Sequence, residues 1–350
     1  MSNANLTPRS PVIFGCGGER LSPEEQSFFQ ATRPFGFILF GRNCTAPQQV
    51  RTLVEELRST VDDAGAPVLI DQEGGRVQRL GPPNWRQRPP ARAIGRLDQC
   101  DRSQARHAAW LAGRLIAADL EALGITVDCA PVLDVPATGS HDVIGDRAFS
   151  DCADTVTVLG ASFCEGLLDG GVLPVIKHVP GHGRARVDSH HDLPAVDDHL
   201  AALTITDFAP FAALAGMPLA MTAHILYRQL DPASVATLSP IIVQQVIRDQ
   251  IGFNGVLISD DISMNALPGP LGERARGALD AGCDLVLHCN GEIEEMKQVG
   301  NAVGPLGPLA IERWQSAEAM RRTVQDFDRP RAELELEALV GLEEASLNGH

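Results

Sequence analysis

The chain has 350 residues, 44% hydrophobic and 21% charged, a globular composition that excludes disorder throughout and supplies a large core. Its 29 Lys+Arg against 45 Asp+Glu leave a formal charge of −16, which repels phosphate backbones and anionic lipid, so no nucleic acid and no membrane partner is expected. Eight cysteines without a C-x-x-C pair read as reduced packing residues. With no apolar leader behind a basic cluster at the N-terminus, a cytoplasmic setting is expected.

In chain order, the first predicted strand is 11–15. The Gly15-Cys16-Gly17-Gly18 turn after it is not a dinucleotide fingerprint, because Arg20 replaces the third glycine. Ser22-Pro23-Glu24-Glu25 predicts a capping box at the first helix, and Thr45-Ala46-Pro47-Gln48 predicts another after a strand at 36–40. Further strands are predicted at 68–71 and 125–132, separated by a helix over 103–123 that stops at Gly124. A strand at 172–177 follows. Residues 208–227 contain no Asp, Glu, Lys or Arg, but Pro210, Gly216, Pro218 and His224 interrupt them, which predicts a short core helix and a buried strand at 219–223 rather than a membrane span. Ser239-Pro240 signals another helix start, before strands at 255–259 and 284–288.

Eight near-continuously apolar strands alternating with helices predict a single (β/α)8 TIM-type barrel, an α/β fold with its catalytic loops at the C-terminal ends of the strands. The expected organisation is one catalytic domain over 1–330 and an acidic tail or extra helix over 331–350.

Polar residues gather where such a barrel builds its site. Four of the ten histidines fall between residues 178 and 191. Asp188 and His190, two apart, can pair so that the carboxylate fixes the imidazole tautomer; a solvated or metal-binding loop would have the same composition. Asp260 and Asp261 end a strand, where one can face a ligand or both can cap the following helix. Asp71 ends another strand, placed to accept two sugar hydroxyls, although a salt-bridged loop would read alike.

Together these passages resemble glycoside hydrolase family 3, in particular its NagZ-type β-N-acetylhexosaminidases. The blocks that carry the resemblance are Asp71-Gln72-Glu73-Gly74-Gly75-Arg76-Val77-Gln78-Arg79, Ile144-Gly145-Asp146-Arg147-Ala148-Phe149, Lys177-His178-x-Pro180-Gly181-His182-Gly183 through Asp188-Ser189-His190, Met221-Thr222-Ala223-His224 and Ser259-Asp260-Asp261. Val179 and Ile262 are apolar departures from the usual Phe and Leu. The resemblance implies Asp260 as nucleophile, His190 as acid/base with Asp188 as its partner, and Asp71, Arg79, Arg147, Lys177 and His178 around an N-acetylglucosamine ring. It implies no cofactor, a small glycan substrate from cell-wall recycling, and a monomer.

An ionised carboxylate needs no base to attack an anomeric carbon, and a histidine, with pKa about 6.5, needs little tuning to serve as acid and base near neutrality. A neutral imidazole also repels anions less than a carboxylate does, so phosphorolysis at the same site is an alternative. Two rivals from other classes are a zinc hydrolase using His178, His182, His190, His224 and Asp260, and a non-catalytic glycan-binding barrel.

Overall fold

The computed structural model describes residues 9–185, 187 and 193–347, with side chains through residue 341. Eight parallel strands close into a barrel: β1 (Ser10–Gly15), β2 (Pro34–Leu39), β3 (Val68–Ile70), β4 (Val127–Asp128), β5 (Leu173–Val179), β6 (Leu219–Thr222), β7 (Val256–Asp261) and β8 (Leu285–His288). Neighbours in space are neighbours in sequence, and β1 pairs with β8 through Val12↔Val286, Ile13↔Leu287 and Phe14↔His288. This is the predicted (β/α)8 barrel.

The continuous apolar runs conceal a period of two, because successive side chains of a strand point to opposite faces. Ile13, Ile38, Leu69, Val127, Val175, Met221, Ile258 and Leu287 form the layer inside the barrel. Val12, Phe37, Ile70, Ile176, Ala220, Leu257 and Val286 join the larger cluster against the surrounding helices. Carried to the C-terminal strand ends, the inward parity falls on Phe40, Asp71, Lys177, Met221, Asp260 and Cys289. The fold therefore aims these residues at the barrel axis.

Helix caps explain where several helices begin. Ser22 Oγ accepts the Glu25 N–H at 3.1 Å, Glu25 Oε2 accepts the Ser22 N–H at 2.8 Å, and helix Pro23–Thr32 follows, as predicted. The expected box at Thr45 is absent. Helix Pro47–Thr60 starts from Ala46 without a side-chain cap, and Gln49, not Gln48, reaches back to Thr45. Ser239 Oγ accepts the Ile242 N–H at 3.0 Å, opening a π-wound helix over Ile242–Gln250. Helix Arg102–Glu121 is capped by Asp101, a residue earlier than expected, and Gly124 takes a positive φ of 78° just beyond its end.

Segment 208–227 resolves into helix Ala209–Ala213 and strand β6; among the described residues no helix is long and apolar enough to cross a membrane. The strand expected at 125–132 is shorter. Regular pairing stops at Asp128, with a single further bridge, Val132↔Lys177, beyond Pro131, which has no N–H to offer a ladder. Helix Arg329–Leu347 packs on helices Ala91–Leu97 and Arg102–Glu121 through buried Ala332 and Leu336.

Candidate active site

The strand ends enclose a polar cavity of about 300 Å³. Asp71, Arg79, Arg147, Lys177, His178 and Asp260 all line it, drawn together from positions up to 189 residues apart. Asp188 and His190 lie outside the described residues. A larger hollow of about 550 Å³ lies between residues 86–96 and helix Arg329–Leu347, but it contains none of the strand-end residues. Its Arg86 and Arg88 are already paired with Glu333, Glu337 and Asp119.

The cavity wall is organised by a chain of alternating charge. Arg79 Nη2 contacts Asp71 Oδ2 at 3.1 Å, and Asp71 Oδ1 accepts from Lys177 Nζ at 2.8 Å. Lys177 Nζ also meets Glu73 Oε1 at 2.6 Å, and Glu73 grips Arg147 bidentately, with both contacts 2.8 Å. Burial alone would raise the carboxyl of Asp71, but Lys177 and Arg79 outweigh it and hold it well below the usual carboxylate range. For Glu73, burial is likewise outweighed, by Arg147 and Lys177, and its pKa falls to about 2. Lys177 is raised because the charges of Asp71 and Glu73 exceed the cost of its burial.

Local geometry keeps this chain in place. Gln72, of opposite parity, turns away and bonds Leu80 through both ends of its amide, while Asp71 and Glu73 face the cations. A two-stranded hairpin, Gln72–Gly74 with Val77–Gln78, turns through Gly74 (φ 90°) and Gly75 (φ 57°). A Cβ on either would lie 2.4 Å from the Pro89 carbonyl oxygen or 2.7 Å from Pro90 Cβ, so the tight seat requires glycine. Arg76 then bonds the carbonyls of Asp142, Val143 and Ile144 and the Asp146 carboxylate, tying the loop that carries Arg147 to the hairpin.

On the opposite side, Asp134 accepts from His178 Nδ1 at 2.7 Å and from the backbone N–H groups of His178 and His182. Burial pushes its carboxyl up, but His178 reverses the shift and Asp134 stays below its ordinary value. Burial and neighbouring His178 lower His182 to about 4, so it is neutral at pH 7.

The two carboxylates ending β7 have different roles. Asp261 turns back to its own loop, accepting from Ser263 N–H at 3.0 Å and Ser263 Oγ at 2.6 Å; the next helix begins only at Leu271, from Pro270 without a side-chain cap, so neither carboxylate caps a helix. Asp260 Oδ1 accepts the Asp261 N–H at 2.8 Å, and among the described residues Oδ2 accepts no hydrogen bond. Burial raises the Asp260 carboxyl, but the imidazoles of His224 and His178 outweigh it, so it is held ionised below its ordinary value.

His224 meets Thr237 Oγ1 at 2.8 Å through Nδ1 and the Asp261 carbonyl at 3.0 Å through Nε2. Since a carbonyl only accepts, Nε2 carries the proton. Both ring nitrogens are thus engaged, which removes His224 from the zinc set, and among the described residues no three His, Cys, Asp or Glu side chains gather as metal ligands. Glu73, Asp134 and Thr237 had no functional place in the sequence reading. Glu73 left a signal in its spacing of two from Asp71, and Asp134 in its place just after the fourth predicted strand; Thr237 left none.

A closed parallel barrel whose strand ends converge on one small cavity, with an ionised carboxylate on its axis, is the frame of a (β/α)8-barrel enzyme. The model of the glycosyl hydrolase family 3 N-terminal domain matches residues 17–322, and the chain belongs to that family. A β-hexosaminidase of Alkalilimnicola ehrlichii is 41% identical over 286 residues, covering 80% of both chains. NagZ from Neisseria gonorrhoeae, solved in complex with N-trifluoroacetyl-D-glucosamine, superposes with a TM-score of 0.85 at 34% identity, over 95% of this chain and 98% of that one. A family 3 β-N-acetylglucosaminidase from a Paenibacillus species gives 0.83 at 30% identity, over 94% and 66%.

Proposed function

We propose that the protein is a retaining exo-β-N-acetylglucosaminidase that removes a non-reducing terminal N-acetylglucosamine, acting as a cytoplasmic monomer on cell-wall fragments in peptidoglycan recycling. The observation that carries this reading is Asp260, which lines the cavity with Oδ1 fixed and Oδ2 accepting no hydrogen bond among the described residues. Oδ2 attacks the anomeric carbon as the bond to the departing oxygen breaks, and the His190 imidazolium protonates that oxygen. The neutral imidazole then takes a proton from water as the water displaces Asp260. Asp188 orients the imidazole.

Asp71, Arg79, Arg147, Lys177 and His178 hold the sugar. Each Asp71 oxygen takes one cation and retains a lone pair for a hydroxyl. The relatives named β-hexosaminidase and the N-acylated glucosamine bound by the Neisseria protein support the choice of sugar.

The test offers a chromogenic β-N-acetylglucosaminide beside the matching β-glucoside, with proton NMR of the first product. Cleavage of the former alone, releasing the β-anomer, is expected. Cleavage of only the plain glucoside overturns the substrate, and first release of the α-anomer overturns retention. Phosphate in the buffer is expected to leave the product as free sugar rather than sugar 1-phosphate.

A further inference from the structure

Glu73 is buried behind the cavity, not on its wall: Arg147 and Lys177, which it binds, line the cavity, whereas Glu73 borders a small void on the far side, beside Ala91, Ile94 and Phe149. It therefore cannot touch a ligand held there. Its influence passes through the sequence Arg79, Asp71, Lys177, Glu73, Arg147, in which the signs alternate and each neighbouring pair is in contact. Three cations share two carboxylates. Neutralising Glu73 would leave three cations with one carboxylate, and would free the planar fork of Arg147 that now closes on both Glu73 oxygens.

A freed guanidinium beside an ammonium is an anion site, because its parallel N–H groups match two oxygens of a phosphate or carboxylate. With Glu73 present, both cations are already charge-paired. The surplus along this charged sequence is then a single positive charge, which the ionised Asp260 on the same cavity offsets, so little remains to repay the desolvation of an anion.

We propose that Glu73 is a specificity-determining residue: it sets the charge of the pocket so that the site takes uncharged sugars and rejects anionic ones. This rests on reading the cavity as the sugar site.

The test measures binding of inorganic phosphate by calorimetry at constant ionic strength to the native protein, E73D, E73Q and the double variant E73Q/R147Q, and in parallel the turnover of a neutral β-N-acetylglucosaminide. E73Q is expected to bind phosphate at least tenfold more tightly than the native protein, with KM for the neutral glycoside raised more than kcat is lowered. In E73Q, phosphate should compete with that glycoside. E73D, which keeps the charge, and E73Q/R147Q, which removes the pair together, should both return to native phosphate affinity.

Equal phosphate affinity in folded E73Q and native protein overturns the proposal. So does tight phosphate binding by the native protein or by E73Q/R147Q, and these two remain decisive if E73Q fails to fold. Because the phosphate titration needs no turnover, a native protein inactive on the glycoside while E73Q gains phosphate affinity would sink the substrate reading and leave the role of Glu73 standing.

Discussion

At the N-terminal end of the barrel Phe35 meets Trp314 edge to face with ring centroids 4.9 Å apart, and Leu306, Trp314 and Met320 stopper the interior layer. Beside them Asp284 is held between Arg248 at 2.9 Å and Arg313 at 2.7 Å, and also accepts the Leu257 N–H. At the C-terminal end the same ingredients, arginines, a lysine and buried carboxylates, surround about 300 Å³ of open space. Buried ion pairs alone therefore do not mark a site. What distinguishes the two ends is whether the charges close on one another over a filled interior or stand around a cavity with hydrogen-bonding capacity in reserve.

The largest expected effect separates the ends by activity. D260N should lower kcat by about 10⁴-fold, equivalent to roughly 5.5 kcal/mol of transition-state stabilisation, while sugar binding persists. Initial rates and calorimetry on the same sample check this; near-native turnover would remove Asp260 from the chemistry. At the other end, D284A leaves the buried Arg248 and the half-buried Arg313 short of a partner and should cost about 3 kcal/mol of stability. Urea unfolding measures that loss, and kcat per folded molecule should be unchanged.

Acid should affect the cavity end through His182. Its folded pKa of about 4 lies below the ordinary 6.5, so the unfolded chain binds the extra proton first. Stability present above pH 6.5 is lost as pH falls towards 4, by about 3 kcal/mol at 1.36 kcal/mol per unit. H182N should flatten this limb of a stability-against-pH curve; an unchanged limb would locate the acid sensitivity elsewhere.

A further pH effect concerns the buried Asp128, whose Oδ1 accepts the Gln72 N–H while Oδ2 has no partner among the described residues. Burial raises its pKa well above the ordinary carboxylate value, so stability it contributes at low pH is lost as pH rises through the folded value. D128N, a neutral mimic of the acid, should gain stability over the native protein as pH rises, read from thermal midpoints across the range.

The same contrast bounds what the sequence could reveal. Apolar runs and their polar ends identified the barrel and placed Asp71, Lys177 and Asp260 at strand ends, because both follow from local pattern. Thr45 failed as a cap because two adjacent glutamines could each close the turn, and only packing selects Gln49. The ladder ending at Asp128 was hidden in a run that stays apolar through Val132. Glu73 and Asp134 escaped a functional reading because their partners, Lys177, Arg147 and His178, lie 44 to 104 positions away. Local sequence carries no record of such pairings.

Closure of the ring through β1 and β8 has a consequence for synthesis. The cavity wall runs from Phe40 to Cys289, and the first strand finds its second neighbour only when Val286 to His288 have been translated. Until then the ring cannot close. Any premature stop codon before residue 289 yields an inert product rather than a weak enzyme.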